Sequence, residues 1–220
     1  MQTGKKKYQR KVSQKDRVIT AITRDILTGK RLPGEPLREL TIAKELGTSQ
    51  APVREALREL QGQGYVTHKP RCGSTVALFS AKELYQTYDI REALESFSIS
   101  AHGKQLESPE NREKLQKILF AFDNVQTLSS FVDTDYQFHE FLIKLCCNDH
   151  LYTIWQQVMN QARIASFFLA THVPLAKTIP VHQSIGEHLF NKEYPAAVEK
   201  LRHHYADLRK TTLTDRGVIP

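Results

Sequence analysis

The positions of the apolar residues divide the chain into a short mixed part and a longer helical part. Three short helices are predicted first, because apolar residues recur every three or four positions over residues 18–27, 37–46 and 53–60. Residues 65–68 and 74–77 are then predicted to be two strands, separated by a basic turn at residues 69–73. Three short helices followed by a two-stranded hairpin make up a winged helix-turn-helix.

From residue 80 onward the apolar spacing is helical throughout. Ser80 with Glu83 forms a capping box for a helix that we expect to run to about Lys104. Ser108 followed by Pro109 is typical of the next helix start. Further helices are predicted over residues 108–128, 132–147, 150–172, 179–191 and 194–212. The predicted fold class is therefore mainly α, with an all-helical second part.

Predicted boundaries define two names used below. Residues 13–78 form the N-terminal module, residues 79–81 a linker, and residues 82–212 the C-terminal module. Residues 1–12 are polar and lysine-rich and are expected to be a disordered basic tail, with a second tail at residues 213–220.

Composition excludes several classes of protein. No uninterrupted apolar stretch approaches the roughly 18–20 residues needed to span a bilayer. The lysines near the N-terminus have no apolar run behind them, so they do not form a secretory signal. The three cysteines make an odd set without the spacing of a zinc ribbon. We therefore expect a cytoplasmic protein without disulfide bonds.

Charge is distributed unevenly between the two modules. Residues 1–78 carry 16 Lys and Arg against seven Asp and Glu, a net charge of +9, whereas the remaining residues carry 15 against 17. Eight of the nine histidines lie after residue 78. This asymmetry predicts that the N-terminal module meets a polyanion and that the C-terminal module does not.

The third predicted helix has the features of a DNA-reading helix. A helix fits the major groove and presents its N-terminal residues to base edges. Arg54 and Arg58 share one face, and Ser49 and Gln50 stand where hydroxyl, amide and free N–H groups meet phosphates or bases. The alternative is a merely solvated basic face. The candidate DNA-binding residues are Arg38, Ser49, Gln50, Ala51, Pro52, Arg54, Arg58, Arg71 and Gly73.

The helix, turn and wing motifs follow one another in a fixed order. They read Leu37…Ala43…Leu46-Gly47-Thr48-Ser49, then Pro52-Val53-Arg54-Glu55-Ala56-Leu57, then Leu60…Gly64-Tyr65-Val66, then Arg71-Cys72-Gly73-Ser74-Thr75-Val76. Over residues 14–78 this pattern resembles the GntR superfamily of bacterial transcription regulators, which implies binding to double-stranded DNA. Gln50 and Ala51 stand where the family usually has arginine and threonine. Gln50 can read adenine, but a standard half-site is not expected.

Several residues of the C-terminal module form a candidate metal site. Asp135 and His139 are four apart, so they share a helix face. His182 and His204 lie on apolar stripes and are expected to point inward, whereas His203 points to the surface. The residues alone leave two readings open, because inward histidines are often hydrogen-bonded core residues. As ligands, the set suits Zn, Ni or Mn and leaves positions for water or a carboxylate.

The order of these residues adds a second resemblance. The motif Asp135-x-x-Phe138-His139, followed by His182 and His204, resembles the FCD ligand-binding domain of the FadR subfamily within the GntR superfamily. The resemblance implies an antiparallel helical bundle that binds a divalent metal, most often zinc, through these Asp and His residues. Asn148 also fits the family pattern near the effector.

Two arginines are candidates for binding an effector. Arg91 lies on the apolar stripe of its helix, and a buried arginine must be paired. Glu95, four residues on, offers a structural partner. The functional reading is a clamp for an effector carboxylate, and the resemblance implies a basic residue near this position. Arg163 is a second candidate.

Taken together, these features predict a homodimeric, metabolite-responsive transcription regulator rather than an enzyme. The expected partners are an inverted-repeat DNA operator and a small organic or sugar acid, without a membrane partner, and repression relieved by effector is favoured. Two alternatives stay open: a metal-dependent hydrolase or lyase, and a nucleoid-associated architectural protein without an effector.

Overall fold

The computed structural model describes residues 12–170 and 175–214, and these residues confirm the mainly α fold class. The tails predicted at residues 1–12 and 213–220 lie largely outside this range. The elements are α1 Gln14–Leu27, α2 Glu39–Leu46, α3 Gln50–Gly62, β1 Val66–Lys69, β2 Gly73–Val76, α4 Ala81–His102, α5 Pro109–Asp123, α6 Leu128–Lys144, α7 Asp149–Ala170, α8 Leu175–Phe190 and α9 Tyr194–Thr214, with a 3₁₀ turn at Gly103–Glu107.

The first three helices and the hairpin fold around one apolar cluster. Ser13 begins α1 through a capping box with Asp16. The strands pair in antiparallel register, with Val66 opposite Val76. Gly73, the first residue of β2 after the turn, has φ 84°, a backbone conformation that glycine adopts without steric cost. The buried residues of this core include Val18, Ile22, Ile26, Ile42, Val53, Leu57, Leu60 and Val76.

The second apolar cluster lies among α4, α5, α6, α8 and α9. Helix α4 is central, because it packs against α6, α7 and α9. The capping box at Ser80 and Glu83 begins α4 as predicted. The buried residues of this second cluster include Leu84, Tyr88, Ile99, Phe138, Leu142, Ile185, Leu201 and Tyr205.

Two helix boundaries differ from the predictions for physical reasons. Thr127 caps α6 in a capping box with Ser130, so α5 ends at Asp123 and α6 begins four residues earlier than predicted. Helix α8 begins at Leu175 instead of residue 179, and Pro180 lies inside it. A proline in the second turn removes one internal hydrogen bond without stopping the helix.

The two modules meet along α7. Ile164 belongs to the apolar core of the N-terminal module. The Tyr65 hydroxyl donates to Asn160 Oδ1 at 2.9 Å, and Asn160 Nδ2 donates to the Gln63 carbonyl at 3.0 Å. Gly64 has φ 83°, and a Cβ there would lie 3.5 Å from the Gln157 carbonyl oxygen. We call these contacts the α7 seam.

Within the described residues, none of the helices combines the length and the apolar character needed to cross a membrane.

Candidate metal centre and nucleic-acid interface

The four predicted metal ligands come together in the core of the C-terminal module. Asp135 and His139 lie one turn apart on α6, His182 lies on α8, and His204 lies on α9. All four residues are buried, and the ligand atoms of the three imidazoles lie within 4.8 Å of one another. We call these four residues the histidine cluster. His203 is exposed, as its position on α9 predicted.

Hydrogen bonds determine which ring nitrogen faces the inside of the cluster. Nδ1 of His139 lies 2.6 Å from Glu95 Oε2, and Nδ1 of His182 lies 3.0 Å from the carbonyl oxygen of Thr178. Carboxylate and carbonyl oxygens only accept hydrogen bonds, so we assign the proton of each ring to Nδ1. The Nε2 lone pairs of both rings then face the cluster interior.

The spacing of these atoms fits a divalent ion. The two Nε2 atoms lie 3.3 Å apart, and Asp135 Oδ1 lies 2.9 Å from His182 Nε2 and 3.6 Å from His139 Nε2. Ligand atoms that bind one zinc ion tetrahedrally at about 2.0–2.1 Å are separated by about 3.3–3.4 Å. Imidazole nitrogen with a single carboxylate is also a donor set that zinc and its neighbours prefer.

The pKa shifts of Asp135 and His204 favour the protonation states that bind a cation, whereas that of His139 does not: burial lowers the pKa of His139, but Glu95 and Asp135 outweigh it and raise that pKa. Burial alone raises the pKa of Asp135, but the imidazoles of His139 and His182 outweigh it and hold that pKa well below its usual range. Burial, together with His182 and His139, lowers the pKa of His204 far below its ordinary value. An ionised carboxylate and a neutral imidazole are the protonation states that a metal ion requires.

Glu95 also lies at the histidine cluster, although its position in the sequence indicates only a partner for Arg91. Glu95 is fully buried. Its Oε2 lies 2.6 Å from Nδ1 of His139, whereas its Oε1 lies 3.4 Å from Nε of Arg91. The signal was a second ionisable residue, one turn from Arg91 on the same apolar stripe. A buried acid requires partners, but a single helix does not show that α6 supplies one.

Arg91 lies against the cluster with unused hydrogen-bonding capacity. Its side chain is almost completely buried, its Nε lies 3.4 Å from Glu95 Oε1, and its guanidinium sits 5.2 Å from the centre of the Tyr205 ring. Its Nη2 is buried and has no hydrogen-bond partner among the described residues. The contact with Glu95 therefore accounts for only part of what this arginine can bind.

The other two predicted effector residues lie elsewhere. Asn148 is exposed, and its Oδ1 accepts from the backbone N–H of Leu151 in the first turn of α7. Arg163 lines a cavity of about 520 Å³ between the modules, where it donates to Asp133 at 3.0 Å and lies over Tyr136. Their expected place beside the effector came from family pattern and helix position, which do not determine tertiary neighbours.

The candidate DNA-binding residues lie on the surface of α3 and the wing. Gln50, Ala51, Arg54 and Arg58 are exposed, whereas Val53 on the opposite face is buried. Arg54 donates to both carboxylate oxygens of Glu39 on α2, with Nε at 3.0 Å and Nη2 at 2.8 Å. Arg54 is thus oriented by a neighbouring helix while 54% of its side chain stays exposed.

The remaining candidates flank α3. Ser49 occupies the N-cap position, and its side chain makes no capping hydrogen bond within the described residues, so its hydroxyl is available to a ligand. Arg38 is exposed at the start of α2. Arg71 is exposed in the hairpin turn at φ 66°. Polar and cationic groups thus lie beside the outward face of α3. They come from the N-cap of α3, the start of α2 and the hairpin turn.

Comparisons with known proteins match both modules. The model for bacterial regulatory proteins of the gntR family covers residues 14–76, and the FCD domain model covers residues 86–207. A relative from Paenarthrobacter nicotinovorans, named "Probable D-xylose utilization operon transcriptional repressor", is 27% identical over 203 residues, which are 90% of this chain and 88% of the relative.

Solved structures show the same fold. The GntR structure from Rhodococcus sp. RHA1 superposes with a TM-score of 0.80 at 22% identity, over 91% of this chain and 98% of that one. The zinc-bound FCD domain of TM0439 superposes with a TM-score of 0.52 at 20% identity, over 62% of this chain and 96% of that one. Both resemblances found in the sequence are confirmed. The chain is a transcription regulator rather than an enzyme, and it belongs to the GntR family of bacterial regulatory proteins, with an FCD domain as its C-terminal module.

Proposed function

We propose that this regulator is a homodimeric repressor whose C-terminal module holds a divalent metal ion and binds a small carboxylate effector. The observation that carries the proposal is the pair of Nε2 atoms of His139 and His182, which face each other at 3.3 Å beside the Asp135 carboxylate. Two imidazole lone pairs at that distance repel each other unless a cation or a proton lies between them.

Asp135, His139, His182 and His204 are the residues that would hold the ion. Zinc suits three nitrogens and one oxygen best, with nickel or manganese as alternatives. The zinc-bound FCD domain of TM0439 shares this fold. A bound divalent ion supplies a Lewis-acidic centre for an oxygen ligand, which favours an effector carrying a carboxylate.

Arg91 is the candidate clamp for that carboxylate. Its Nη2 is buried without a partner in the described part of the chain, and Arg–carboxylate pairs are often bidentate. The effector class that follows is a small organic or sugar acid, and the relative from Paenarthrobacter nicotinovorans carries the name of a repressor of a sugar operon.

DNA recognition is proposed for the exposed face of α3 and the wing. Arg54 and Arg58 would enter the major groove, with Ser49, Gln50, Ala51 and Pro52 at the leading end of the helix. Arg38, Arg71 and Gly73 would meet backbone or an adjacent groove. We infer that two copies read an inverted repeat whose half-sites lie one helical turn, or a multiple of it, apart.

Exposed apolar residues on α4 and α7 support the dimer. Ile90 and Phe97 are seven residues apart and share a face of α4, and Ile154 lies on α7, which packs against α4. Each is about half exposed. Large apolar side chains on neighbouring helices favour association with a second apolar surface.

Effector binding would act by changing the relative placement of the two N-terminal modules. Only a ligand with different affinities for the two arrangements can shift their populations. A coupling free energy of about 1–3 kcal/mol would change operator affinity about 5–150-fold.

Metal analysis of purified protein tests the centre directly. We expect about one divalent ion per chain in the wild type and in His203→Ala, and a large loss in His204→Ala. The two histidines are adjacent on one helix, and only His204 is buried. Equal metal content in all three proteins would contradict the assignment.

Selection of duplexes from a random library tests the DNA-binding half. We expect enrichment of one inverted repeat. Binding to all duplexes with equal affinity and a steep salt dependence would instead indicate the architectural alternative.

A further inference from the structure

Glu95 collects more hydrogen-bond donors than an ion pair with Arg91 requires. On Oε2 it receives His139 Nδ1 at 2.6 Å and the Tyr205 hydroxyl at 2.8 Å. On Oε1 it receives Trp155 Nε1 at 2.8 Å and Arg91 Nε at 3.4 Å. Within the described residues these donors come from α4, α6, α7 and α9. Glu95 therefore links the central helix to three of its neighbours.

The distances rank these partners. Arg91 makes the longest of the four contacts and His139 the shortest. Charge-assisted hydrogen bonds are stronger when they are short. Glu95 is also completely buried, a position that costs several kcal/mol for a carboxylate unless its oxygens are hydrogen-bonded. Charge balance with Arg91 explains neither the order of the distances nor the position of Oε2.

The contact with His139 has a direct consequence for the histidine cluster. A neutral imidazole has one N–H, and its tautomer is determined by the hydrogen bond made by the other nitrogen. Glu95 accepts a hydrogen bond from Nδ1–H of His139. This leaves Nε2 of His139 without a proton, at 3.3 Å from Nε2 of His182. For His182 the backbone carbonyl of Thr178 fulfils the same role. The two rings thus have the same tautomer through different acceptors.

We propose that Glu95 is a positioning residue of the metal centre, which accepts the Nδ1 proton of His139 and thereby holds its Nε2 toward the ion. This inference rests on the proposed metal site. A carboxylate in this position orients the ring and makes the ligand nitrogen more basic, and the loss of such a partner typically lowers metal affinity about 10–100-fold.

Zinc titration of the full-length protein against a competing chelator tests the proposal. We expect Glu95→Gln to bind zinc about 10–100-fold more weakly than the wild type. Trp155→Phe is the matched control, because it removes a donor from Oε1 of the same carboxylate while the contact of Oε2 with His139 stays. Its zinc affinity should stay within a few-fold of the wild type, even if its thermal stability falls.

Two outcomes of the titration would overturn the proposal. One is a folded Glu95→Gln protein that binds zinc as tightly as the wild type. The other is an equal loss of affinity in Glu95→Gln and Trp155→Phe that follows their loss of thermal stability, which would show that Glu95 acts only through packing. Absence of zinc binding in the wild type would instead contradict the metal site itself, so the two failures are distinguishable.

A measurement on the wild type removes the dependence on a folded variant. Nitrogen-15 NMR of zinc-loaded protein distinguishes a protonated from a metal-bound ring nitrogen. We expect His139 to carry its proton on Nδ1 and to bind zinc through Nε2. Zinc on Nδ1, or a proton on Nε2, would show that Glu95 does not set the tautomer.

Discussion

The two modules use charged side chains in opposite ways. In the N-terminal module, Arg54 and its partner Glu39 form an ion pair at the surface, and Arg58 beside it is exposed. In the C-terminal module, Arg91, Glu95 and Asp135 are buried and linked through the histidine cluster. Surface ion pairs contribute about 0–1 kcal/mol, so an exposed arginine exchanges a carboxylate for a phosphate at little cost.

Buried charges behave differently, because each depends on its partners. Removal of one member of a buried pair typically destabilises a protein by about 3–5 kcal/mol, since the other charge stays buried without compensation. The same cationic side chain therefore serves as an exchangeable contact in one module and as part of a fixed network in the other. Matched substitutions in the two modules test this contrast.

The largest expected effect is on stability and concerns Arg91. We expect Arg91→Met to lower the free energy of unfolding by about 3–5 kcal/mol, because Glu95 and Asp135 lose a buried cation. Urea denaturation monitored by circular dichroism measures this change. Arg54→Met is the control and should change stability by less than about 1 kcal/mol. Equal losses in the two variants would remove the contrast between the modules.

The second effect concerns stabilisation by zinc. At a free concentration of 100 times Kd, zinc should stabilise the folded wild type by about 2.7 kcal/mol, seen as a rise in Tm. Asp135→Asn should weaken this effect because a ligand atom loses its charge. Asp133→Asn lies two residues earlier on the same helix, where the carboxylate is exposed, and it should respond to zinc like the wild type. A similar loss in both variants would point to α6 as a whole instead of to the cluster.

The third effect is on DNA binding. Arg54→Ala should weaken binding to the selected operator by about 1–3 kcal/mol and relax base preference at one position. Electrophoretic mobility shift at a stated salt concentration measures it. Arg24→Ala removes an exposed arginine of α1 instead and should leave base preference unchanged. If both substitutions weaken all duplexes to the same extent, Arg54 contacts only phosphate.

The smallest effect is the pH dependence of the N-terminal module. Burial raises the pKa of Asp25, but hydrogen bonds from Lys30 and Arg24 outweigh it and leave that pKa below its ordinary value. A lowered pKa in the folded state stabilises the protein above the unfolded value of about 4, and this contribution is lost as pH falls through the folded value. Its size should be about 1 kcal/mol or less, since two of the three ion-pair partners, Lys30 and Arg24, are exposed and the third, Arg31, lies at 3.8 Å.

Thermal unfolding measured between pH 3 and pH 6 checks this dependence. Wild-type Tm should fall more steeply than that of Asp25→Asn at the acid end of the range, because only the wild type loses an ionised carboxylate there. Parallel curves would show that the ion pairs of Asp25 do not contribute.

The sequence predicted those parts of the molecule that depend on neighbours along the chain. Caps, apolar spacing and turn residues all agree in the N-terminal module, so its helices and strands were located to within a few residues. The inward histidines were identified in the same way, because helical spacing distinguishes His204 from His203. Where a cap was overlooked, as at Thr127, the predicted boundary was wrong.

Features that depend on contacts between helices were not accessible in this way. Glu95 and His139 are 44 positions apart and meet because α4 packs against α6. Arg163 lies on the predicted helix, but its partner Asp133 and its place between the modules follow from the packing of α6 and α7. Helical periodicity gives the face on which a residue lies and leaves open which helix covers that face.

The α7 seam bears on how the proposed dimer would meet an operator. Gln63 and Tyr65 follow directly after α3, and both are hydrogen-bonded to Asn160. The end of α3 is therefore held to the C-terminal module by these hydrogen bonds as well as by the connecting peptide. In such a dimer, with the two C-terminal modules in contact, the contacts at Asn160 would set the distance between the two α3 helices. Lengthening residues 77–80 would then change half-site spacing less than a substitution at Asn160 or Tyr65.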